Sequence, residues 1–290
     1  MSSTIAGLRK TISSAQDLHS VVRTMKALAA SSITQYEQAV QALDDYYLTV
    51  QRGLGACIRS EAGLALPLEA TKQGAAAVVV FGSDQGLVGR FNDVAADHAI
   101  ALLNDKPDAV IWAIGERVKE PLTAAGLDMA ALLAVPLSVD AIVPLVGEIL
   151  GRYESSLSSG EVCELHLVYN KPATGSVYEP VSEKLLPLDE SWRCDLSQQS
   201  WPTDRLPEVI GAVSETLGGF VREFLFVSLF RACASSLASE NASRLAAMQR
   251  ADKNIDTLLE ELNASFHRLR QDKIDEELFD VVTGYEALKR

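Results

Sequence analysis

Between Leu8 and Arg52 no glycine or proline interrupts the chain, and a single stripe returns at steps of three and four: Leu8, Ile12, Ala15, His19, Val22, Met25, Ala29, Ile33, Tyr36, Val40, Leu43, Tyr47 and Val50. That spacing predicts one long helix with a narrow apolar seam. The far end repeats the pattern. Residues Phe220 to Thr283 also lack glycine and proline, and Leu245, Met248, Ile255, Leu259, Leu262, Phe266 and Leu269 keep similar spacing. After a slip of one residue Ile274, Leu278 and Val281 resume it, and Gly284 stands where a stop signal belongs. At about 1.5 Å per residue the two stretches would reach about 70 and about 95 Å, far beyond an ordinary globular helix of about 11–12 residues. A seam that narrow needs a partner. Its nearest partner is the other end of the same chain, which predicts an antiparallel coiled coil; pairing of each end with a second copy is the alternative the pattern leaves open. Ala29, Ala30, Ser31 and Ser32, together with residues 231–248, are rich in small side chains and predict a section where the helices approach closely.

Between these ends the period changes. The run 75–82 (AAAVVVFG) suits a buried parallel strand and is followed by a helical stretch from about Asn92 to Leu103. A second strand is expected at 109–115, a helix at 138–157 opening on an N-cap-like Ser138, and a third strand at 161–171, with residues 176–188 adding an edge strand. Alternating strands and helices predict a small Rossmann-like sheet. Residues 189–204 read as a loop into the final helix. The expected fold is therefore α/β plus long helices: a coiled-coil helix over 1–60, an inserted Rossmann-like domain over 61–203, and a second coiled-coil helix over 204–290.

Charge supports the same division. Residues 1–60 carry +2 and residues 231–290 carry −2, so residues 61–230, with 11 Lys and Arg against 24 Asp and Glu, hold the entire net charge of −13. That balance argues against a nucleic-acid binder, and no basic cluster suggests a lipid headgroup site. No apolar run approaches the roughly 20 residues of a membrane span. The N-terminus lacks the apolar core of a secretory signal, which leads to the expectation of a cytoplasmic protein. Cys57, Cys163, Cys194 and Cys233 form no CxxC pair, so neither zinc nor thioredoxin-like chemistry is expected from them.

One loop invites a chemical reading. Gly82, Gly86 and Gly89 follow the first strand, spaced four and three, without the Lys-Ser/Thr of a P-loop or the G-x-G-x-x-G of a dinucleotide site. Asp84 would place negative charge where a phosphate should sit, and is better suited to accepting hydrogen bonds from backbone donors. Tight-turn residues are the stronger reading, and a nucleotide-dependent enzyme the weaker one. His19, His98, His166 and His267 are scattered outside any catalytic spacing; His19 lies on the helical seam and reads as packed.

With these features in place, three stretches resemble the gamma subunit family of F-type ATP synthases, the central rotor shaft. Residues 236–288 are similar to that family's C-terminal signature nearly throughout, residues 7–33 to its first-helix motif, with Arg23, Met25 and Lys26 in the basic-x-Met-Lys positions, and residues 83–92 (SDQGLVGRFN) to its strand-end motif. The resemblance covers essentially the whole chain. It implies a non-catalytic subunit without cofactor or metal, one copy per complex, whose partners are three alpha and three beta subunits, an epsilon subunit and the c-ring of the membrane sector. It implies a place on the cytoplasmic side of a bacterial plasma membrane. It also implies rotor–stator contacts at Arg270 and Gln271, at Glu240 and Arg244, and at Arg23, Met25 and Lys26 of the facing helix. Without the resemblance each charged residue among these reads as a solvated helix face. The chain departs from the family pattern at Asp275, where Thr is usual, at Ser31 and Ser32, where Lys or Arg is common, and at Val21 and Val22. In the arrangement the resemblance implies, Asp275 would put a negative charge near an acidic beta-subunit loop, a departure expected of a divergent paralogue. Outside that family, a homodimeric coiled-coil adaptor is the alternative.

Overall fold

A computed structural model describes residues 4–59, 74–174, 176–188, 192, 196, 201, 203 and 208–288. Its elements run α1 (Ile5–Ala42), α2 (Asp44–Arg59), β1 (Ala75–Phe81), α3 (Phe91–Leu103), β2 (Val110–Ile114), α4 (Glu116–Ala124), β3 (Met129–Leu133), α5 (Ile142–Ser159), β4 (Val162–Ala173), β5 (Ser176–Leu186) and α6 (Val213–Leu288). The chain divides into two compact units, Met1–Ala29 with Arg244–Arg290, and Ala30–Ser243.

The larger unit is built on a five-stranded sheet in the order β3-β2-β1-β4-β5, parallel except for β5. Central strand β1 reads as an unbroken apolar run because both of its faces are covered. Alternate side chains then sort between two cores. Val78 and Val80 meet Ala96, Ala99 and Leu103 of α3 and Val118 and Leu122 of α4. On the opposite face Ala77, Val79 and Phe81 join Ile142, Val146 and Ile149 of α5, Leu54 and Ile58 of α2, and Phe224 and Leu229 of α6. Small residues Ala232, Cys233, Ala234 and Ala238 of α6 share that core with Tyr36, Ala39 and Val40 of α1, the close-packed section expected from their size.

Four details differ from the sequence reading. The uninterrupted stretch Leu8–Arg52 is two helices. The Leu43 amide closes a tight turn onto the Val40 carbonyl (3.1 Å), and α2 restarts with Asp44 and Asp45 in its first turn. Beyond the break Val50, Leu54, Cys57 and Ile58 of α2 bury in the same core as Tyr36 of α1. Helix α5 begins at Ile142 rather than beside Ser138; the Ser138 hydroxyl accepts the Ala141 amide (3.3 Å) within the preceding turn, and Ala141 is the N-cap. Gly284 does not end α6, which continues to Leu288; a helix-interior glycine costs only about 1 kcal/mol. Finally, α4 and β3 are additional to the expected elements. Most of the expected loop 189–204 lies outside the described residues.

In the smaller unit the ends of the chain pair with each other in antiparallel register. Val22 packs with Met248 and Ile255, with Met25, Ala247, Ala251 and Leu259 around them. Toward the start of α1, the Arg9 guanidinium lies 5.4 Å from the centre of the Phe266 ring. Over this stretch the two seams cover each other within one chain, whereas the last seam residues of α6, Ile274, Leu278 and Val281, are exposed.

Candidate functional site

Loop 82–92 can be tested first. The Gly82 amide donates to the Ile114 carbonyl (2.7 Å), continuing the β1–β2 ladder, and a Cβ at Gly82 would lie 2.5 Å from Cβ of Val118. Only glycine permits that approach between strand end and α4. The Ser83 amide donates to Asn92 Oδ1 (2.8 Å), and the Asn92 amide group returns a bond to Ser83 Oγ (2.9 Å). Asp84 accepts the Glu116 amide on Oδ1 (3.0 Å) and the Val135 amide on Oδ2 (2.9 Å). One carboxylate therefore ties the end of β1 to the N-terminus of α4 and to the segment leaving β3. Asp84 does satisfy backbone donors, though in neighbouring loops and not in its own turn. Beyond it, the Ser243 hydroxyl donates to the Val88 carbonyl (2.5 Å), so α6 packs on the same loop. A phosphate would have to displace an anion that already holds the amides of Glu116 and Val135.

The second candidate surface is the pair of end helices. Arg23 and Lys26 converge with His19 on Asp252 of α6: Lys26 Nζ sits 2.9 Å from Asp252 Oδ2, His19 Nε2 2.9 Å from Oδ1, and Arg23 Nε 3.6 Å from Oδ1. The Lys26 hydrogen bond, with help from His19, holds the Asp252 carboxyl below the usual carboxylate range. Lys26 and Arg23 are therefore engaged across the helix pair. Met25 packs beside the Val22–Met248 cluster.

The C-terminal residues sit differently. Arg270, Gln271 and Asp275 are all exposed on α6, flanking the Lys273–Glu277 ion pair (3.8 Å). Arg270 is 18 residues from Asp252, or about 27 Å along the helix, so the structure does not bring it together with Met25 and Lys26. Around and past Asp275, α6 exposes Ile274, Leu278, Phe279, Val281 and Val282. Glu240, in the larger unit, is nearly buried in a polar run with Ser236, Ser239 and Ser243. Burial raises the Tyr36 hydroxyl above its ordinary range, and the nearby Cys233 and Glu240 add to it. Glu240 therefore faces inward, toward α1, and departs from the solvated helix face expected of an acidic residue. Arg244 is half-buried.

Sequence reasoning missed Asp252 and Asp256. Their signal was present as two acids one helical turn apart on α6, but only the antiparallel register shows that the polar His19 of the opposite seam falls between them. Among the described residues no helix is long and apolar enough to cross a membrane.

Comparisons with known proteins agree with this architecture. The family model described as ATP synthase matches residues 4–288. The ATP synthase gamma chain of Lachnoclostridium phytofermentans is 28% identical over 285 residues, covering 96% of this chain and 93% of that relative. The ATP synthase gamma chain of Desulforamulus reducens is 26% identical over 289 residues, covering 97% and 98%. In fold, a chain of the Euglena gracilis mitochondrial ATP synthase OSCP/F1/c-ring structure, in rotational state 3, superimposes with a TM-score of 0.65 at 16% identity, covering 98% of this chain and 94% of that one. Two paired end helices, an inserted mixed sheet and a match from residue 4 to residue 288 lead to one conclusion: the chain belongs to the ATP synthase gamma chain family.

Proposed function

We propose that this chain is the central-stalk rotor subunit of an F-type ATP synthase, a non-catalytic shaft that couples ion-driven rotation of a c-ring to the conformational cycle of catalytic beta subunits. The observation that carries the reading is the family match along the whole described length, together with end helices that pair within the chain. Its partners are three alpha and three beta subunits, an epsilon subunit and the c-ring, with one copy of the shaft in each complex. It works peripherally, on the cytoplasmic side of a bacterial plasma membrane. Residues 1–60 and 204–290 serve as the shaft helices and 61–203 as the inserted domain.

A rotor acts on a stator site only by binding one of its conformations better than another. Moving such a site from 1:99 to 99:1 requires about 5.5 kcal/mol of differential affinity, whereas an exposed ion pair supplies about 0.2–1 kcal/mol. The work is therefore spread along the helices. In this reading Arg270 and Gln271, which are exposed on α6, meet the beta subunits, and Asp275 modulates that contact. Arg23, Met25, Lys26, Glu240 and Arg244 support the same contacts by setting the shape and charge of the shaft.

The test is to purify the complex from cells carrying a tagged copy of this chain and weigh it intact by native mass spectrometry. One copy with three alpha and three beta subunits is expected; a homodimer lacking them would overturn the proposal in favour of an adaptor. In that complex Arg270→Ala should lower coupled ATP turnover by less than about fivefold, the reach of one exposed pair.

A further inference from the structure

His19, Asp252 and Asp256 bring an imidazole nitrogen and two carboxylate oxygens to one point, with all three donor atoms within 4.8 Å of one another. We propose that these residues form a binding site for a divalent transition-metal ion of the Zn²⁺ class, which clips α1 to α6. The inference concerns this chain's own helix pair and stands independently of the rotor reading.

Geometry is the first argument. His19 Nε2 lies 2.9 Å from Asp252 Oδ1 and 3.3 Å from Asp256 Oδ1. An ion with bonds of about 2.0–2.1 Å holds its donors about 2.9–3.4 Å apart, so the ligands already stand along two edges of a coordination shell. Asp252 and Asp256 are four residues apart on α6 and share one face, while His19 comes from α1; two elements of the fold thus contribute.

Hydrogen-bond capacity is the second argument. Whatever its protonation state, Nε2 carries at most one hydrogen, yet it faces two carboxylate oxygens. A single N–H can serve only one of them, whereas a metal ion is shared by both.

The surroundings complete the case. Lys26 binds Oδ2 of Asp252 and leaves Oδ1 turned toward the imidazole, as outer partners of metal ligands do. Its positive charge opposes a cation, and so does that of Arg23. Arg23 is 65% exposed and free to swing aside, and two carboxylates with a neutral imidazole balance a dication. The Asp256 side chain is 54% exposed, which leaves room for water to fill the remaining coordination positions. A mixed imidazole–carboxylate set selects Zn²⁺, Co²⁺ or Ni²⁺ over Mg²⁺ and Ca²⁺, which take oxygen ligands.

The experiment uses the full chain stripped of metal with a chelator. Zn²⁺ is titrated by calorimetry at neutral pH, and thermal unfolding is recorded with and without Zn²⁺ and, separately, Mg²⁺. The expected result is a rise in Tm with Zn²⁺ and none with Mg²⁺, with affinity at least about tenfold weaker in His19→Gln. Asp256→Asn, at an exposed position, provides a second variant that should fold and should also weaken binding. An equal Zn²⁺ response in wild type, His19→Gln and Asp256→Asn would place the ion elsewhere on the chain and overturn the proposal. Absence of any Zn²⁺ response at millimolar concentration would do the same, and so would an equal response to Mg²⁺.

Discussion

Asp84 is the residue on which the reading of the glycine loop turns, and replacing it with alanine gives two measurable consequences. The carboxylate accepts two backbone amides, from Glu116 and Val135, and so joins three strand ends at one edge of the sheet. Hydrogen bonds to a charged group contribute about 1.5–3 kcal/mol when buried, and ordinary ones about 0.5–1.5 kcal/mol. Because Asp84 is exposed, the lower range applies, and Asp84→Ala should cost about 1–3 kcal/mol for the pair. Asp84→Asn retains one acceptor oxygen and should lose about half as much. Urea unfolding followed by the fluorescence of Trp112, which sits in neighbouring β2, measures the difference; in a thermal scan each kcal/mol corresponds to about 2–4 °C for a unit of this size. The second consequence is negative: with the charge removed, calorimetry should still detect no binding of ADP or ATP, because the loop's glycines serve packing and turns. Stability unchanged to within about 0.5 kcal/mol would refute the tethering role, since that is the scatter of ordinary surface substitutions. Nucleotide binding gained on removing Asp84 would refute the structural reading of the loop altogether.

Two further outcomes follow from the packing and the electrostatics. Met248→Ala removes the most buried side chain of a small cluster with Val22 and Ile255, and should cost about 2–3 kcal/mol; faster amide exchange in α1 around Val22 is the measurement, and unchanged protection would contradict the pairing. Glu164 provides a pH signature: partial burial alone would raise its pKa, but hydrogen bonds from Lys106 and His166 outweigh this and pull it down to about 2, while burial lowers the pKa of His166. A depressed folded-state pKa stabilises above the unfolded value of about 4.3 and is lost as pH falls toward 2. Wild type should therefore lose up to about 3 kcal/mol more than Glu164→Gln between pH 5 and 2 in acid titrations followed by circular dichroism.

The places where pattern reading stopped are particular. Helix α4 contains Pro121 at the sixth of its nine positions, where a proline removes an interior hydrogen bond and normally argues against a helix, yet Val118 and Leu122 still bury against β1 and β2. Strand β3, MAALL, is short and half-exposed, with an alanine at each position where a β-branched residue would have marked it. The pairing of His19 with Asp252 and Asp256 could not be read from either segment, because 233 residues separate His19 from Asp252.

By itself, the sequence determined the long end helices, the alternating strands and helices between them, and the failure of the glycine loop to fit a phosphate motif. Each follows from local spacing: a period of 3.6 or 2, or the presence of a lysine at a set offset. Its three quoted motifs also carried the family resemblance. Only the tertiary structure decided the break at Leu43, the inward turn of Glu240, the two amides held by Asp84, and the convergence of Lys26, Arg23 and His19 on Asp252. These depend on the register between segments far apart in the chain. A periodic seam says that a helix must be covered, but the identity of the residue opposite is set by where the covering helix begins and how far it slides.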